Sequence, residues 1–252
     1  MSVNIKSTIR SLSSALLAGL LMLSVFSANV AADDIYPDNP DDGVITQNEQ
    51  QTDLLNEKHD DWPTVNAAAF ILYDATSGSI LVGKDYETQK EPASMTKVMT
   101  ILLALEKLDM NQTITITSAM AREIADLEKD YVRLGLQEGE EITVKDLIYA
   151  AVLKSANDCC IALAHQIGGS EADFCKMMNE KAEELGCRNT HFTSCFGYAK
   201  EDNLTTAFDL SLILNEAVSK TIYPEIAKTY TYKISATSPA RIASPSRSPR
   251  TA

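Results

Sequence analysis

The chain has 252 residues, 45% of them apolar, enough for one large domain or two small ones with a packed core. Its formal net charge is −13; Lys6 and Arg10 are the only charged residues among the first 32, so residues 33–252 hold 20 bases against 35 acids. A surface that acidic repels phosphate backbones and anionic headgroups, which excludes nucleic-acid binding as the function.

Residues 1–32 read as a signal peptide. Lys6 and Arg10 give a positive start, residues 15–26 form an apolar run too short to span a bilayer comfortably, and Val30-Ala31-Ala32 supplies a small-residue cleavage site ending at Ala32. An uncleaved anchor is the alternative. Either way the body is expected outside the cytoplasmic membrane, exported and extracytoplasmic. Residues 33–61, rich in Asp, Asn and Gln with few apolar positions, read as an acidic disordered leader.

Order is expected from Trp62. Residues 67–73 are a continuous apolar run of strand length, Asp74-Ala75-Thr76-Ser77-Gly78 is a turn signal, and residues 79–82 form a second short strand, together a β-hairpin. Residues 95–108 place Val98, Ile101, Leu102 and Leu105 on one helical face, and residues 114–116 alternate briefly. Three helix starts follow: Thr143 with Asp146 in capping-box spacing, Ser170 with Asp173 opening a helix that stops at Gly186, and Thr206 with Asp209. The stretch 118–220 is therefore mainly helical, and a helical block inserted into an antiparallel sheet domain, an α+β architecture, is the expected fold. Residues 228–234 read as one more strand.

The five cysteines, Cys159, Cys160, Cys175, Cys187 and Cys195, are odd in number and lack CxxC spacing, which argues against a zinc site or a disulfide framework. One bridge remains open; Cys159, Cys160 and Cys175 read as buried thiols on helices. His59, His165 and His191 show no metal-ligand spacing. After Glu225 no acid occurs, and residues 237–252 hold four Ser, three Pro and three Arg. This atypical tail reads either as disordered or as an unnatural continuation of the domain.

Two short constellations carry chemistry. Ser94-Met95-Thr96-Lys97 sits where the chain enters a helix behind Pro92, and three-residue spacing puts hydroxyl and amine on one face. A partly desolvated Lys97 loses its proton more readily and could activate Ser94 as a nucleophile, with helix N-terminal amides favouring developing negative charge. Ser155-Ala156-Asn157 falls in a break between two helices, where the Ser hydroxyl can relay a proton and the Asn amide can hold a peptide bond. Each has a bland reading: an ordinary helix start with a surface lysine, and local helix capping.

Taken as a pair, they resemble the active-site set of serine penicillin-binding proteins and β-lactamases, which share Ser-x-x-Lys, Ser-x-Asn and Lys-Thr-Gly. Pro92-Ala93-Ser94-Met95-Thr96-Lys97-Val98-Met99-Thr100 is similar to the nucleophile segment of the D-alanyl-D-alanine carboxypeptidases. The pieces Phe70 to Asp74 with Gly78, Ser155-Ala156-Asn157-Asp158, Met178-Asn179, Leu185-Gly186, Thr190-His191-Phe192 and Thr205-Thr206-Ala207 follow in that family's order. The resemblance covers about residues 67–233. It implies a transpeptidase-type α+β fold and acyl transfer on peptidoglycan stem peptides, with Ser94 as nucleophile, Lys97 as general base, Ser155 relaying the proton and Asn157 binding substrate. It implies β-lactam antibiotics as acylating ligands, and neither metal nor organic cofactor. Membrane association is expected only through an uncleaved signal segment or a C-terminal anchor that the sequence does not contain.

Two departures stand out. The loop that usually reads Asn-Pro-x-Gly is here Ser194-Cys195-Phe196-Gly197. No Lys-Thr-Gly occurs; Lys228-Thr229-Tyr230 comes too early and puts a ring where glycine lets substrate lie against a strand. The catalytic domain, residues 62–236, is therefore expected to be incomplete, lacking the C-terminal sheet strands. Two rivals are an inactive penicillin- or peptidoglycan-binding remnant and a β-lactamase. Ala156 argues against the β-lactamase, since class A enzymes carry Ser-Asp-Asn.

Overall fold

The computed structural model describes residues 65–198 and 202–235, which fall in one compact unit. The proposed signal peptide, the acidic leader and the Ser/Pro/Arg-rich tail lie outside the described residues.

The chain opens with a hairpin of β1 (Phe70–Asp74) and β2 (Ser79–Lys84), antiparallel, with a register shift at Leu72/Tyr73. Asp74 closes the turn: its carboxylate accepts from the Thr76 amide at 2.9 Å and the Ser77 hydroxyl at 2.7 Å, and its carbonyl accepts from Gly78 at 2.9 Å. These bonds hold the Asp74 carboxyl below its usual range, the Ser77 hydroxyl contributing most. After a 3₁₀ turn at Ala93–Thr96 the chain enters α1 (Lys97–Lys107). A short ribbon pairs β3 (Thr113–Thr115) with β4 (Glu141–Thr143), and α2 (Ser118–Ala125) lies between them in sequence. Then come α3 (Val144–Lys154), α4 (Asn157–Gly168), α5 (Glu171–Glu184), α6 (Ala207–Ser219) and α7 (Ile222–Ala227).

The core is built around α1 and α4. Met99, Ile101, Leu102 and Ala104 of α1, and Ile161, Ala162, Leu163 and Ala164 of α4, are at most 1% exposed. Helices apolar on every side must be surrounded, and α1 packs against α3, α4, α5 and α6. Each buried Leu, Ile or Met contributes about 1.5–3 kcal/mol over its exposed state. The hairpin packs on α6, where Tyr73 meets Phe208 edge-on at 5.9 Å.

The three expected helix starts are real caps. Thr143 accepts from the Asp146 amide at 3.0 Å, Ser170 from Asp173 at 3.1 Å and Thr206 from Asp209 at 3.0 Å. At Thr143 only half of a capping box forms, because the Asp146 carboxylate accepts instead from Tyr232 Oη at 2.8 Å.

Residues 228–234 do not form the expected strand; only Lys233 takes part in a β-bridge. A strand needs a ladder partner along its length, and the sheets among the described residues are β1–β2 and β3–β4 alone. Single side chains pin the segment instead: Tyr232 stacks on Tyr149 of α3 at 3.8 Å, and Ile234 is 7% exposed. All five cysteines are buried and none forms a disulfide, so the bridge left open by the sequence does not form. His165 pairs with Glu123 at 2.6 Å and His191 Nδ1 contacts the Asp202 carbonyl at 3.1 Å. Among the described residues no helix is long and apolar enough to cross a membrane.

Candidate active site

Ser94 sits on a turn fixed from both sides. Upstream, Lys90 and Thr205 exchange backbone hydrogen bonds of 2.8 and 3.0 Å. Pro92 caps the 3₁₀ turn, Met95 N donates to the Pro92 carbonyl at 3.1 Å, and Ala93 takes a left-handed φ of 47°. A non-glycine residue held there stores about 1–3 kcal/mol of strain, which persists only where neighbours over-determine it. The result lifts the Ser94 hydroxyl into solvent while Lys97, one turn on, is 5% exposed.

The Lys97 amine lies 3.0 Å from Ser94 Oγ and donates to the Phe196 carbonyl at 2.9 Å. Burial pushes the Lys97 ammonium below its usual value, and the Cys160 and Cys195 thiols act weakly the other way. Ser155 closes the group. It caps α3 in a left-handed conformation (φ 57°, ψ 34°), its own N–H making a six-to-one bond to the Ala150 carbonyl, which also accepts from Ala156 N at 3.3 Å. That bend aims its hydroxyl at Ser94 Oγ, 3.1 Å away. Ser94, Lys97 and Ser155 thus share one cleft of about 340 Å³, whose walls include Val98, Ile101, Ala151 and Tyr223.

Asn157 sits differently from the sequence expectation. The break between helices is two residues, not three: Ala156 is the extended N-cap and Asn157 is the first residue of α4, 8% exposed. Its backbone N–H donates to the Val132 carbonyl at 2.9 Å, and its side chain makes no hydrogen bond to Ser94, Lys97 or Ser155 among the described residues.

Sequence reasoning singled out neither of two supporting devices. The Asp158 carboxylate, fully buried, accepts from the amides of Leu134, Gly135 and Leu136 at 2.8, 2.6 and 3.0 Å and from Cys159 at 3.1 Å, fixing the loop before β4 on the first turn of α4. Tyr131 on that loop packs edge-on against Phe196 and Tyr198 at 6.3 and 5.4 Å. The second device is the turn 194–198, pressed so closely on the nucleophile that a Cβ on Gly197 (φ 86°) would stand 1.7 Å from the Ala93 carbonyl oxygen. The sequence offered one usable signal: Gly197 is the position this loop shares with the Asn-Pro-x-Gly from which it otherwise departs.

The D-alanyl-D-alanine carboxypeptidase family matches residues 56–245. Among curated proteins, D-alanyl-D-alanine carboxypeptidase DacF of Bacillus subtilis is 34% identical over 164 residues, 65% of this chain and 42% of that protein. DacC of Escherichia coli, also a D-alanyl-D-alanine carboxypeptidase, is 34% identical over 157 residues, 60% of this chain and 39% of its own length. The chain thus spans less than half the length of these relatives. Among solved structures, a mutant of the Streptomyces K15 DD-transpeptidase superposes with a TM-score of 0.64 at 28% identity, covering 70% of both chains. D-alanyl-D-alanine carboxypeptidase DacD from Francisella tularensis superposes at 0.60 and 26% identity, covering 66% of this chain and 40% of that one.

The fold is therefore the α+β fold of the penicillin-binding DD-peptidases. Within that class, the chain belongs to the D-alanyl-D-alanine carboxypeptidase family.

Proposed function

We propose that this chain carries the serine site of a penicillin-sensitive D-alanyl-D-alanine carboxypeptidase, removing the terminal D-alanine of peptidoglycan stem peptides. The observation that carries the reading is the triangle of Ser94, Lys97 and Ser155, with Ser94 Oγ 3.0 Å from the amine and 3.1 Å from the second hydroxyl.

Neutral Lys97 takes the Ser94 proton as Oγ bonds to the carbonyl carbon between the two D-alanines. As the tetrahedral intermediate collapses, the C–N bond breaks and the proton held by Lys97 passes through the Ser155 hydroxyl to the departing D-alanine amine, which returns Lys97 to its neutral form. Asn157 holds the substrate amide from the head of α4. Water then adds to the ester, and D-alanine-shortened peptide leaves with Ser94 restored. β-Lactams enter by the same attack and stop at the acyl-enzyme. The peptide substrate lies outside the cytoplasmic membrane, which agrees with residues 1–32 acting as a signal peptide and residues 62–236 as the catalytic region.

The test is mass spectrometry of the 252-residue protein after benzylpenicillin. The expected result is one adduct per chain, mapped to the peptide containing Ser94. No adduct, or one elsewhere, overturns the proposal. The likeness to a DD-transpeptidase admits one variant: an amine acceptor in place of water, read from the products of a D-alanyl-D-alanine peptide with and without glycine as acceptor.

A further inference from the structure

The turn 194–198 is assembled around one hydroxyl. Three consecutive backbone N–H groups, of Phe196, Gly197 and Tyr198, converge on Ser194 Oγ at 3.3, 3.2 and 3.2 Å. Ser194 is 0% exposed, so water does not reach the accepting oxygen. With the amides gathered inward, the carbonyls are delivered to α1: Cys195 O accepts from Thr100 Oγ1 at 2.5 Å and Phe196 O accepts from Lys97 Nζ at 2.9 Å. Gly197, with no room for a Cβ against the Ala93 carbonyl, lets the turn lie flat on the nucleophile backbone.

We propose that Ser194 is a positioning residue for the acyl-transfer reaction: its hydroxyl holds the 195–198 turn so that the Phe196 carbonyl orients the Lys97 amine toward Ser94. The inference rests on the reading of Ser94 and Lys97 given above. A neutral amine has two N–H bonds and one lone pair. Engaging one N–H with a fixed carbonyl leaves the lone pair free to point at the Ser94 hydroxyl, 3.0 Å away. Without the Ser194 oxygen, three N–H groups, that of Phe196 buried and those of Gly197 and Tyr198 half-buried, lose their acceptor, the turn relaxes, and the carbonyl no longer fixes the base. The other groups acting on Lys97 are the Cys160 thiol from α4 and the Cys195 thiol from the turn itself, and Asp158 and Glu171 act in turn on Cys160. None of them replaces a lost carbonyl as an acceptor for the amine.

The experiment compares pH–rate profiles for acylation by a fluorescent penicillin in the full chain, for wild type, Ser194→Ala and Ser194→Thr. Ser194→Ala is expected to acylate about 10–100-fold more slowly at its plateau, because misplacement by about 1 Å is enough for that loss. Its acid limb is expected at lower pH, since a lost acceptor disfavours the ammonium, while circular dichroism stays that of the wild type. Ser194→Thr keeps the acceptor and is expected near the wild-type profile. Should Ser194→Ala not fold, Ser194→Cys, near-isosteric and only a weak acceptor, takes its place with the same outcomes. A wild-type rate and profile in Ser194→Ala overturns the proposal. So does a crystal structure of that variant in which Lys97 Nζ still hydrogen-bonds the Phe196 carbonyl. If the wild type itself takes no label at Ser94, the proposed function fails, and the crystal structure still decides the role of Ser194.

Discussion

Replacing Ser94 with Ala is expected to abolish covalent capture of penicillin, and replacing Lys97 with Met to slow it about 10²–10⁴-fold, the range spanned by loss of a general base. Both follow from the 3.0 Å contact between the two groups and from the burial of the amine. Stopped-flow labelling measures the rates; Lys97→Met acylating as fast as wild type would remove the lysine from the mechanism. Because burial lowers the Lys97 ionisation below 10.5, the wild-type rate should climb with pH as the ammonium deprotonates, and the climb should vanish in Lys97→Met. The same shift fixes the sign of a stability effect. Between the folded ionisation and 10.5 the unfolded chain binds more protons than the folded one, so stability rises with pH through that window. Below it, the full cost of burying an ammonium remains. Lys97→Met is therefore expected to be more stable than wild type at neutral pH, with the advantage shrinking as pH approaches 10.5. The site trades stability for a base that can lose its proton.

Asp158→Ala should be the most destabilising single change near the site, at roughly 3–5 kcal/mol. One fully buried carboxylate serves four amides, three of them on the loop 134–136, and a buried N–H without an acceptor costs about 1–3 kcal/mol. Urea denaturation checks it: the midpoint should fall with the slope unchanged. A loss below about 1 kcal/mol would mean that water or a neighbour replaces the carboxylate. The loop carries Val132, whose carbonyl receives the Asn157 amide, so the head of α4 should loosen in the same variant.

What the sequence shows of this molecule is set by how local each cause is. The hairpin turn at Asp74 and the caps at Thr143, Ser170 and Thr206 were legible because cap and capped amide lie within three residues. Ser94 and Lys97 were legible for the same reason, one turn apart. Ser155 entered through a family pattern rather than through spacing, since 61 residues separate it from Ser94. β4 escaped notice because Glu141–Thr143 is three residues long and exists only through its pairing with β3. Residues 228–234 failed in the opposite sense: the strand pattern is present, but Tyr232 finds Tyr149 and Asp146 instead of a ladder. Asp158 and Ser194 stayed hidden because a buried acceptor for distant amides looks like any other polar residue in a string of letters.

The cysteines, none of them in a disulfide, have a consequence of their own. Burial raises the Cys160 thiol to about 12 and also lifts Cys187 and Cys195, so at neutral pH these sulfurs hold almost no reactive thiolate, and all five are shielded by packing. In oxidising surroundings they survive by inaccessibility rather than by pairing. An alkylating reagent reaches them only when the interior opens, which turns sulfur modification into a stopwatch for global unfolding.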